Sequence, residues 1–190
     1  MKEGKIIVLS APSGCGKSTI INSVLGSGEH NLRFSVSATN RAPRTGEEDG
    51  VHYHFLTTER FRDAIAGGEF VEWEEVYPGR YYGTLRSELT DATGRGENII
   101  LDIDVKGALN VKEQFGDKAL LIFIMPPSIE ELRNRLVKRG TEGKEVIEQR
   151  VGKAEYEISF ADRFDIRIVN DDLPVALAAT ESAIAAFLQK

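Results

Sequence analysis

One apolar run, one glycine-rich loop and one helical pattern near the N-terminus constrain this chain's fold more than any other feature. The apolar residues 6–9 lead directly into residues 11–18, APSGCGKS, and a helical pattern follows. This order nearly matches the phosphate-binding pattern G-x-x-x-x-G-K-[ST], in which backbone N–H groups and a lysine surround phosphate oxygens. The sequence therefore predicts a nucleotide phosphate site at the end of a buried strand.

Ala11 occupies the position where the pattern has its first glycine. This position ends the strand, before the backbone turns inward, so a Cβ is tolerated there if φ is negative. Gly14 and Gly16 allow the tight turn, Lys17 is predicted to reach the outer phosphates, and the Ser18 hydroxyl is predicted to bind Mg²⁺. The predicted ATP-binding loop comprises Ala11, Pro12, Ser13, Gly14, Cys15, Gly16, Lys17, Ser18 and Thr19.

The composition requires this anion site to be local. The 24 lysines and arginines against 30 aspartates and glutamates give a net charge of -6, which argues against general binding to nucleic acid or to anionic membranes. The single cysteine, Cys15, cannot form an internal disulfide; it is either a packed loop residue or a nucleophile that needs a base partner. Residues 6–9 are too short for a secretory segment, so we expect a cytoplasmic chain. From the net charge, we expect no nucleic-acid or membrane partner.

The rest of the 190-residue chain predicts one compact α/β domain. Continuous apolar runs separated by helical patterns are typical of a parallel sheet with both faces covered. Strands are predicted at residues 6–9, 98–103, 119–125 and 166–169. Helices are predicted at residues 17–25, 58–66, 84–93 and 174–188, and from a capping box at Ser128 and Glu131 towards Lys138.

Residues 35–88 do not follow this alternation of apolar runs and helical patterns. They contain an alternating stretch at 51–55, turn signals at 45–50 and 77–83, and many arginines, tyrosines and glutamates. We interpret the segment as an α/β insertion. Arg41 and Arg44 flank a proline and are suited to clamp one phosphate, to which Tyr53 and Tyr82 would add hydrogen bonds.

Asp102 follows the apolar run 99–101 of the predicted strand at 98–103, and we expect it to lie next to the phosphate loop. Its carboxylate is suited to hold the water shell of Mg²⁺, although a strand-end aspartate also commonly caps the following turn. Asp104, two residues on, is expected to point to the same face, so that one of the two carboxylates would serve a second ligand.

Several separate motifs, in order along the chain, resemble the guanylate kinase family from about residue 5 to residue 172. They are the phosphate loop, SATNRAPRTGE at 37–47, EFVEW at 69–73, GRYYGT at 79–84 and RNRLVKRGTE at 133–142. The resemblance implies a P-loop NTPase fold with an inserted GMP-binding subdomain and a short helical lid. It also implies ATP and GMP or dGMP as substrates, and Mg²⁺ with the ATP. The sequence leaves the oligomeric state open.

The resemblance further implies site residues. For GMP they are Ser37, Arg41, Arg44, Glu47, Tyr53, Glu72, Tyr82, Thr84, Asp102 and Asp104. The chemistry agrees for Glu72, because a carboxylate accepts from guanine N1–H and the 2-amino group together, whereas adenine lacks that donor pair. Taken alone, Glu72 would be interpreted as a solvated glutamate.

Lid residues complete the implied site. Arg135 and Arg139 share a helix face and, with Arg150 on the next helix and Lys17, are the implied catalytic cations. Without the family context, Arg135 and Arg139 would be an exposed basic face balanced by Glu130, Glu131 and Glu142. Asn170 is implied to bind ATP near the adenine. The resulting organisation is a core of residues 1–34, 89–125 and 158–190, a GMP-binding subdomain of about 35–88 and a lid of about 126–157.

Some positions depart from the family, which often carries glycine at 11, threonine at 15 and 40, and glutamine at 106. None of these departures removes a charge needed for phosphoryl transfer. Two other functions stay open at this point. One is a non-catalytic, kinase-like module that binds a protein, and the other is a P-loop kinase for a different monophosphate.

Overall fold

The computed structural model describes residues 3–140 and 143–190. The strands are β1 Ile6–Ser10, β2 Leu32–Phe34, β3 Ala38–Thr39, β4 His54–Phe55, β5 Phe70–Tyr77, β6 Arg80–Leu85, β7 Asn98–Asp102, β8 Ala119–Met125 and β9 Ile166–Val169. The helices are α1 Lys17–Gly26, α2 Thr58–Ala66, α3 Arg86–Gly94, α4 Val105–Phe115, α5 Ile129–Arg139, α6 Lys144–Ile158 and α7 Leu173–Gln189. Short 3₁₀ turns occupy Glu29–Asn31, Gly116–Lys118 and Ala161–Arg163.

The larger sheet of the described chain has five parallel strands in the order β2-β7-β1-β8-β9. Every residue of the central strand β1 is buried. Its side chains alternate between two apolar clusters, with Ile7 packing beside Ile20 of α1 and Ile6 in the cluster that contains Leu89 of α3. The predicted parallel sheet with both faces covered is therefore confirmed.

A smaller sheet, in the order β4-β3-β6-β5, lies within residues 35–88. Helix α2 packs on it through Phe61, whose ring stacks on those of Phe70 and Tyr81 at centroid distances of 4.4 and 5.4 Å. This sheet has its own small core, which includes Ala38 and Ala64. The predicted α/β insertion is confirmed.

Several predicted boundaries were wrong. Helix α3 begins at Arg86 and not at residue 84, because Thr84 pairs with Glu72 between β6 and β5. Only His54–Phe55 of the alternating stretch forms a strand, since residues 51 and 52 belong to a turn. The turn signal at 77–83 is confined to residues 78 and 79, and the rest pairs as strand. Helix α4 and strand β2 had not been predicted.

Helices α5 and α6 lie in the predicted lid region. The Ser128 hydroxyl accepts from the Glu131 N–H at 3.0 Å, as the capping box predicts, while the Glu131 carboxylate pairs with Arg135. Residues 141 and 142 of the predicted lid, including Glu142, and residues 1 and 2 of the predicted core lie outside the described residues. Across the described ranges, no helix combines the length and apolarity that a membrane span needs.

Candidate functional site

The phosphate loop connects β1 to α1. Gly14 and Gly16 have φ values of 94° and 80°, in the region that favours glycine. A Cβ on Gly16 would lie 2.6 Å from Asn170 Nδ2, so the loop has no room for a side chain there. Among the described non-glycine residues only His30 and Asn31 have a positive φ, so the φ of Ala11 is negative. Its Cβ is therefore tolerated, as predicted from the sequence.

A cavity of about 650 Å³, called the donor cavity below, lies over this loop. It is bounded by the loop, by the end of β7 and by helices α5 and α6. Its lining residues include the whole of residues 11–19, Asp102, Asp104, Arg135, Arg139, Arg150, Lys153 and Glu157. The structure thus brings together the predicted phosphate loop, both predicted aspartates and all three arginines that were predicted to belong to a lid.

Polar contacts within the donor cavity connect its parts. Lys17 forms an ion pair with Asp102, and Arg150 contacts the Ser13 hydroxyl. Arg135 donates to the Glu131 carboxylate and to the Asn170 backbone carbonyl, each at 2.8 Å. In a chain of net negative charge, these cations concentrate positive potential at the loop.

Oxygen donors suited to Mg²⁺ also line the donor cavity. The Ser18 hydroxyl and the Asp102 carboxylate are of the hard oxygen type that this ion prefers. Groups of three or more His, Cys, Asp or Glu residues able to hold a metal are absent from the described residues. This donor set fits an ion held mainly by water and by nucleotide phosphates.

The two aspartates have different local roles. Asp104 caps α4, where its carboxylate accepts from the Gly107 N–H at 2.7 Å, so the capping alternative applies to Asp104 and not to Asp102. Strand β7 ends at Asp102, so the expected strand alternation does not extend to Asp104. Both residues nevertheless line the donor cavity.

Two residues of the ATP-binding prediction are buried near the loop. The Asn170 side-chain amide donates to the Cys15 carbonyl at 2.8 Å, and Asn170 lies behind the loop rather than in the donor cavity lining. Its contact with ATP stays a prediction. Burial of the Cys15 thiol raises its pKa to about 12, so the thiol is protonated at neutral pH. The packed-residue interpretation of Cys15 is the one that fits.

A second cavity of about 230 Å³, called the acceptor cavity below, lies between the smaller sheet and the end of β7. Its lining comprises Ser37, Tyr53, Glu72, Glu74, Tyr82, Gly83, Asp102, Ile103 and Asp104. Asp102, Ile103 and Asp104 also line the donor cavity, so the two cavities meet at the carboxyl end of β7.

Glu72 faces the acceptor cavity from β5 and is half-buried. The Thr84 hydroxyl donates to its carboxylate at 2.6 Å, which fixes the orientation of that carboxylate. Burial raises the pKa of Glu72 to about 7, and the hydrogen bond from Thr84 offsets part of the rise. Glu72 is therefore an oriented, partly desolvated carboxyl group and not a solvated surface glutamate.

Arg41 and Glu47 form a bidentate pair beside the acceptor cavity, with N–O distances of 2.6 Å. The guanidinium lies 4.9 Å from the Tyr53 ring centroid, and that ring lies 5.8 Å from the ring of Tyr82. The hydrogen bonds from Arg41 lower the pKa of Glu47 to about 2, and the Arg44 N–H also donates to Glu47, at 2.7 Å. Arg41, Arg44, Glu47 and Thr84 lie outside the lining of the acceptor cavity.

Sequence reasoning missed two residues of the donor cavity, Lys153 and Glu157. Both lie on α6, three and seven residues after Arg150. That spacing places all three on one helix face, so the signal was present in the sequence once Arg150 was assigned to the site.

Comparison with known proteins agrees with this geometry. A family model described as guanylate kinase matches residues 3–187. The guanylate kinase of Porphyromonas gingivalis is 55% identical over 186 residues, covering 98% of this chain and 99% of the relative. That of Bacteroides thetaiotaomicron is 55% identical over 187 residues, covering 98% and 91%.

A solved structure matches as well. The crystal structure of guanylate kinase from Anaplasma phagocytophilum superimposes with a TM-score of 0.74 at 35% identity, covering 100% of this chain and 89% of that one. Sequence and fold similarity both extend over nearly the whole chain, including the phosphate loop, the inserted sheet and the lid helices. The chain belongs to the guanylate kinase family.

Proposed function

We propose that this chain transfers the γ-phosphoryl group of Mg²⁺-bound ATP directly to GMP, and also to dGMP, in one in-line step. The conversion of ATP and GMP to ADP and GDP is the activity of the family. The observation that carries the direct mechanism is the meeting of the donor and acceptor cavities at Asp102–Asp104. Two bound nucleotides would place their phosphates on either side of this boundary.

The donor side supplies positive charge where negative charge develops. The loop N–H groups and Lys17 hold the β- and γ-phosphates, and Arg135, Arg139 and Arg150 stabilise the equatorial oxygens of the transferring group. Lys17 is paired with Asp102 in the structure. We expect bound ATP to draw the Lys17 ammonium away from this carboxylate and towards the phosphates.

The same exchange prepares Asp102 for its second role. Once Lys17 moves, the Asp102 carboxylate and the Ser18 hydroxyl are available to hold Mg²⁺, largely through its water shell. When bound, the ion supplies charge neutralisation at the β- and γ-phosphates.

The acceptor side orients GMP. Arg41, Arg44, Tyr53, Tyr82 and Ser37 bind its phosphate, with Glu47 holding the Arg41 guanidinium in place. Glu72, fixed by Thr84, accepts from guanine N1–H and from the 2-amino group. A purine that lacks these donors would leave the carboxylate unpaired, which is the basis of base selection.

The domain assignment follows from the same scheme. We assign residues 35–88 to a GMP-binding subdomain and 126–157 to a lid, both of which close over the core of residues 1–34, 89–125 and 158–190. Closure excludes water from the γ-phosphate and so limits hydrolysis. A cytoplasmic location, with nucleotides and not nucleic acids or membranes as partners, also stays a prediction.

A coupled ADP-release assay with GMP, dGMP, AMP, UMP and dTMP as acceptors tests the function. We expect turnover with GMP and dGMP, and a loss of turnover in Lys17→Ala with GMP binding retained. Absence of activity with every acceptor would favour the protein-binding module. Preference for another monophosphate would favour the alternative kinase.

A further inference from the structure

Lys153 and Glu157 lie four residues apart on α6 and face the same way. Both line the donor cavity. Both also line a third cavity, of about 390 Å³, whose walls include Glu72 and Glu74 of β5. Lys153, Glu157 and Asp104 are the residues common to these two cavities, so the pair lies where the phosphate loop side meets the inserted sheet.

Glu157 is a buried carboxyl group, only 8% exposed. Burying a carboxylate is costly unless a cation compensates it, and Lys153 Nζ lies 3.9 Å from Glu157 Oε1. Burial raises the pKa of Glu157, while the positive charges of Lys153 and Lys17 act in the opposite direction. Negative charges on Asp104 and Glu74 add to the rise. Glu157 therefore interacts electrostatically with Lys17 of the donor cavity and with Glu74 of the acceptor cavity.

Lys153 has the opposite exposure. Its side chain is 66% exposed, although its ammonium stays near a carboxylate that is almost fully buried. The separation of 3.9 Å is an ion pair rather than a hydrogen bond. A lysine has a flexible stem, and an ammonium that is attracted to one fixed charge without a hydrogen bond can turn its three donors towards phosphate oxygens.

From this placement we propose that Lys153 is a further cation of the phosphoryl-transfer site, contacting the transferring group. Glu157 is the positioning residue that holds its ammonium where the donor cavity meets the third cavity, which shares Glu72, Glu74 and Asp104 with the acceptor cavity. The inference rests on the proposed function, because it presupposes a phosphoryl group passing from the donor cavity to the acceptor cavity. It adds a fourth lid cation to Arg135, Arg139 and Arg150.

Replacing Lys153 tests the first half of the proposal. Because the side chain is exposed, Lys153→Met will fold, and we expect kcat to fall about tenfold while KM for ATP and for GMP changes by less than about twofold. Lys153→Arg should restore most of kcat, since it keeps the charge. Lys144→Met removes an exposed lysine from the same helix outside the donor cavity, and should match the wild type.

A double-mutant cycle tests the role of Glu157. Glu157→Gln should lower kcat about threefold in the wild-type background and leave it unchanged in Lys153→Met, because a residue that acts only through Lys153 has nothing left to position. A merely structural role would give the same fractional loss in both backgrounds, which would overturn the positioning assignment.

The controls separate this inference from the proposed function. If the wild type fails to phosphorylate GMP, the proposed function itself is wrong. If the wild type and Lys144→Met are active and Lys153→Met has an unchanged kcat, only the role of Lys153 is overturned. A change confined to KM would overturn it as well, since it would place Lys153 in ground-state binding.

Discussion

The side-chain amide of Asn170 donates a 2.8 Å hydrogen bond to the Cys15 carbonyl, joining residues 155 positions apart in the chain. The backbone carbonyl of Asn170 accepts from Arg135 at 2.8 Å. One residue, directly after β9, thereby contacts both the phosphate loop and helix α5. From its position behind the phosphate loop, Asn170 stabilises the loop and α5.

Asn170→Ala should therefore destabilise the chain and weaken ATP binding. Loss of the amide leaves the Cys15 carbonyl buried without its donor, at a cost of about 1–3 kcal/mol. We expect a lower melting temperature and a raised KM for ATP, with KM for GMP nearly unchanged. Asn134→Ala, at an exposed asparagine on α5, is the matched control. Equal melting temperatures for Asn170→Ala and this control would contradict the stabilising role of Asn170.

Exchanging glycine and alanine at the two ends of the phosphate loop should have unequal effects. Gly16→Ala forces a Cβ into a positive φ and within 2.6 Å of Asn170 Nδ2, so we expect at least about 1 kcal/mol of destabilisation and loss of ATP binding. Ala11→Gly, at a negative φ, should leave kcat within about twofold. Thermal melts and ATP titrations of both variants measure the difference. Retained ATP affinity in Gly16→Ala would contradict the strained-loop account.

The pKa of Glu72 predicts a pH dependence of stability. The pKa of Glu72 is about 7 in the folded chain and has an ordinary value of 4.5. Between these two pH values, the carboxyl group keeps its proton in the folded state and has lost it in the unfolded state. The stabilisation is fully present below the lower pKa and is lost as pH rises through the upper one. Melting temperatures of Glu72→Gln should decline less than those of the wild type over this range. Parallel curves would show that Glu72 does not titrate there.

The same titration predicts how GMP binding responds to pH. Because the ionised carboxylate is the form proposed to accept from guanine, KM for GMP should fall as pH rises through about 7. Glu72→Gln supplies the control for titration of the GMP phosphate itself, and its KM should lack this component. A wild-type KM profile identical in shape to that of Glu72→Gln would remove Glu72 from base recognition.

Asn40 should influence GMP without touching it. Its amide donates to the Thr58 hydroxyl at 2.9 Å and to the Gly79 carbonyl at 2.7 Å, and its oxygen accepts from the Tyr81 N–H at 2.8 Å. These bonds hold the β5–β6 hairpin that carries Tyr82. Asn40→Ala should raise KM for GMP several-fold and leave KM for ATP unchanged, as initial-rate kinetics would reveal. Unchanged GMP kinetics would contradict this link.

The sequence predicted those parts of the fold that local patterns determine. Strands such as Ile6–Ser10 are continuous apolar runs, and the phosphate loop has its own glycine pattern. Helix α4 was not predicted because Gly107 interrupts a weakly apolar segment. The beginning of this helix depends on the cap that Asp104 provides. Thr84 was placed in a helix because its strand pairing with Glu72 is a tertiary contact.

The site also has features that local sequence patterns predict and features that depend on tertiary contacts. Residue types and motifs identified Lys17, Arg41 and Glu72, but not how they are paired. The contact between Lys17 and Asp102, and that between Asn170 and Cys15, join segments far apart in the chain. Lys153 and Glu157 carry no motif of their own. Their helical spacing from Arg150 indicates only a shared helix face, and the fold determines that this face lines the donor cavity and the third cavity.

Following a radioactive γ-phosphate from ATP tests the direct transfer between the two adjoining cavities. The chain would be incubated with labelled ATP, Mg²⁺ and GMP, and the label located in nucleotide, inorganic phosphate and protein fractions. Direct transfer predicts that the label appears in GDP and that no labelled protein forms at any time. Label held covalently on the chain, or released as inorganic phosphate without GDP, would contradict it.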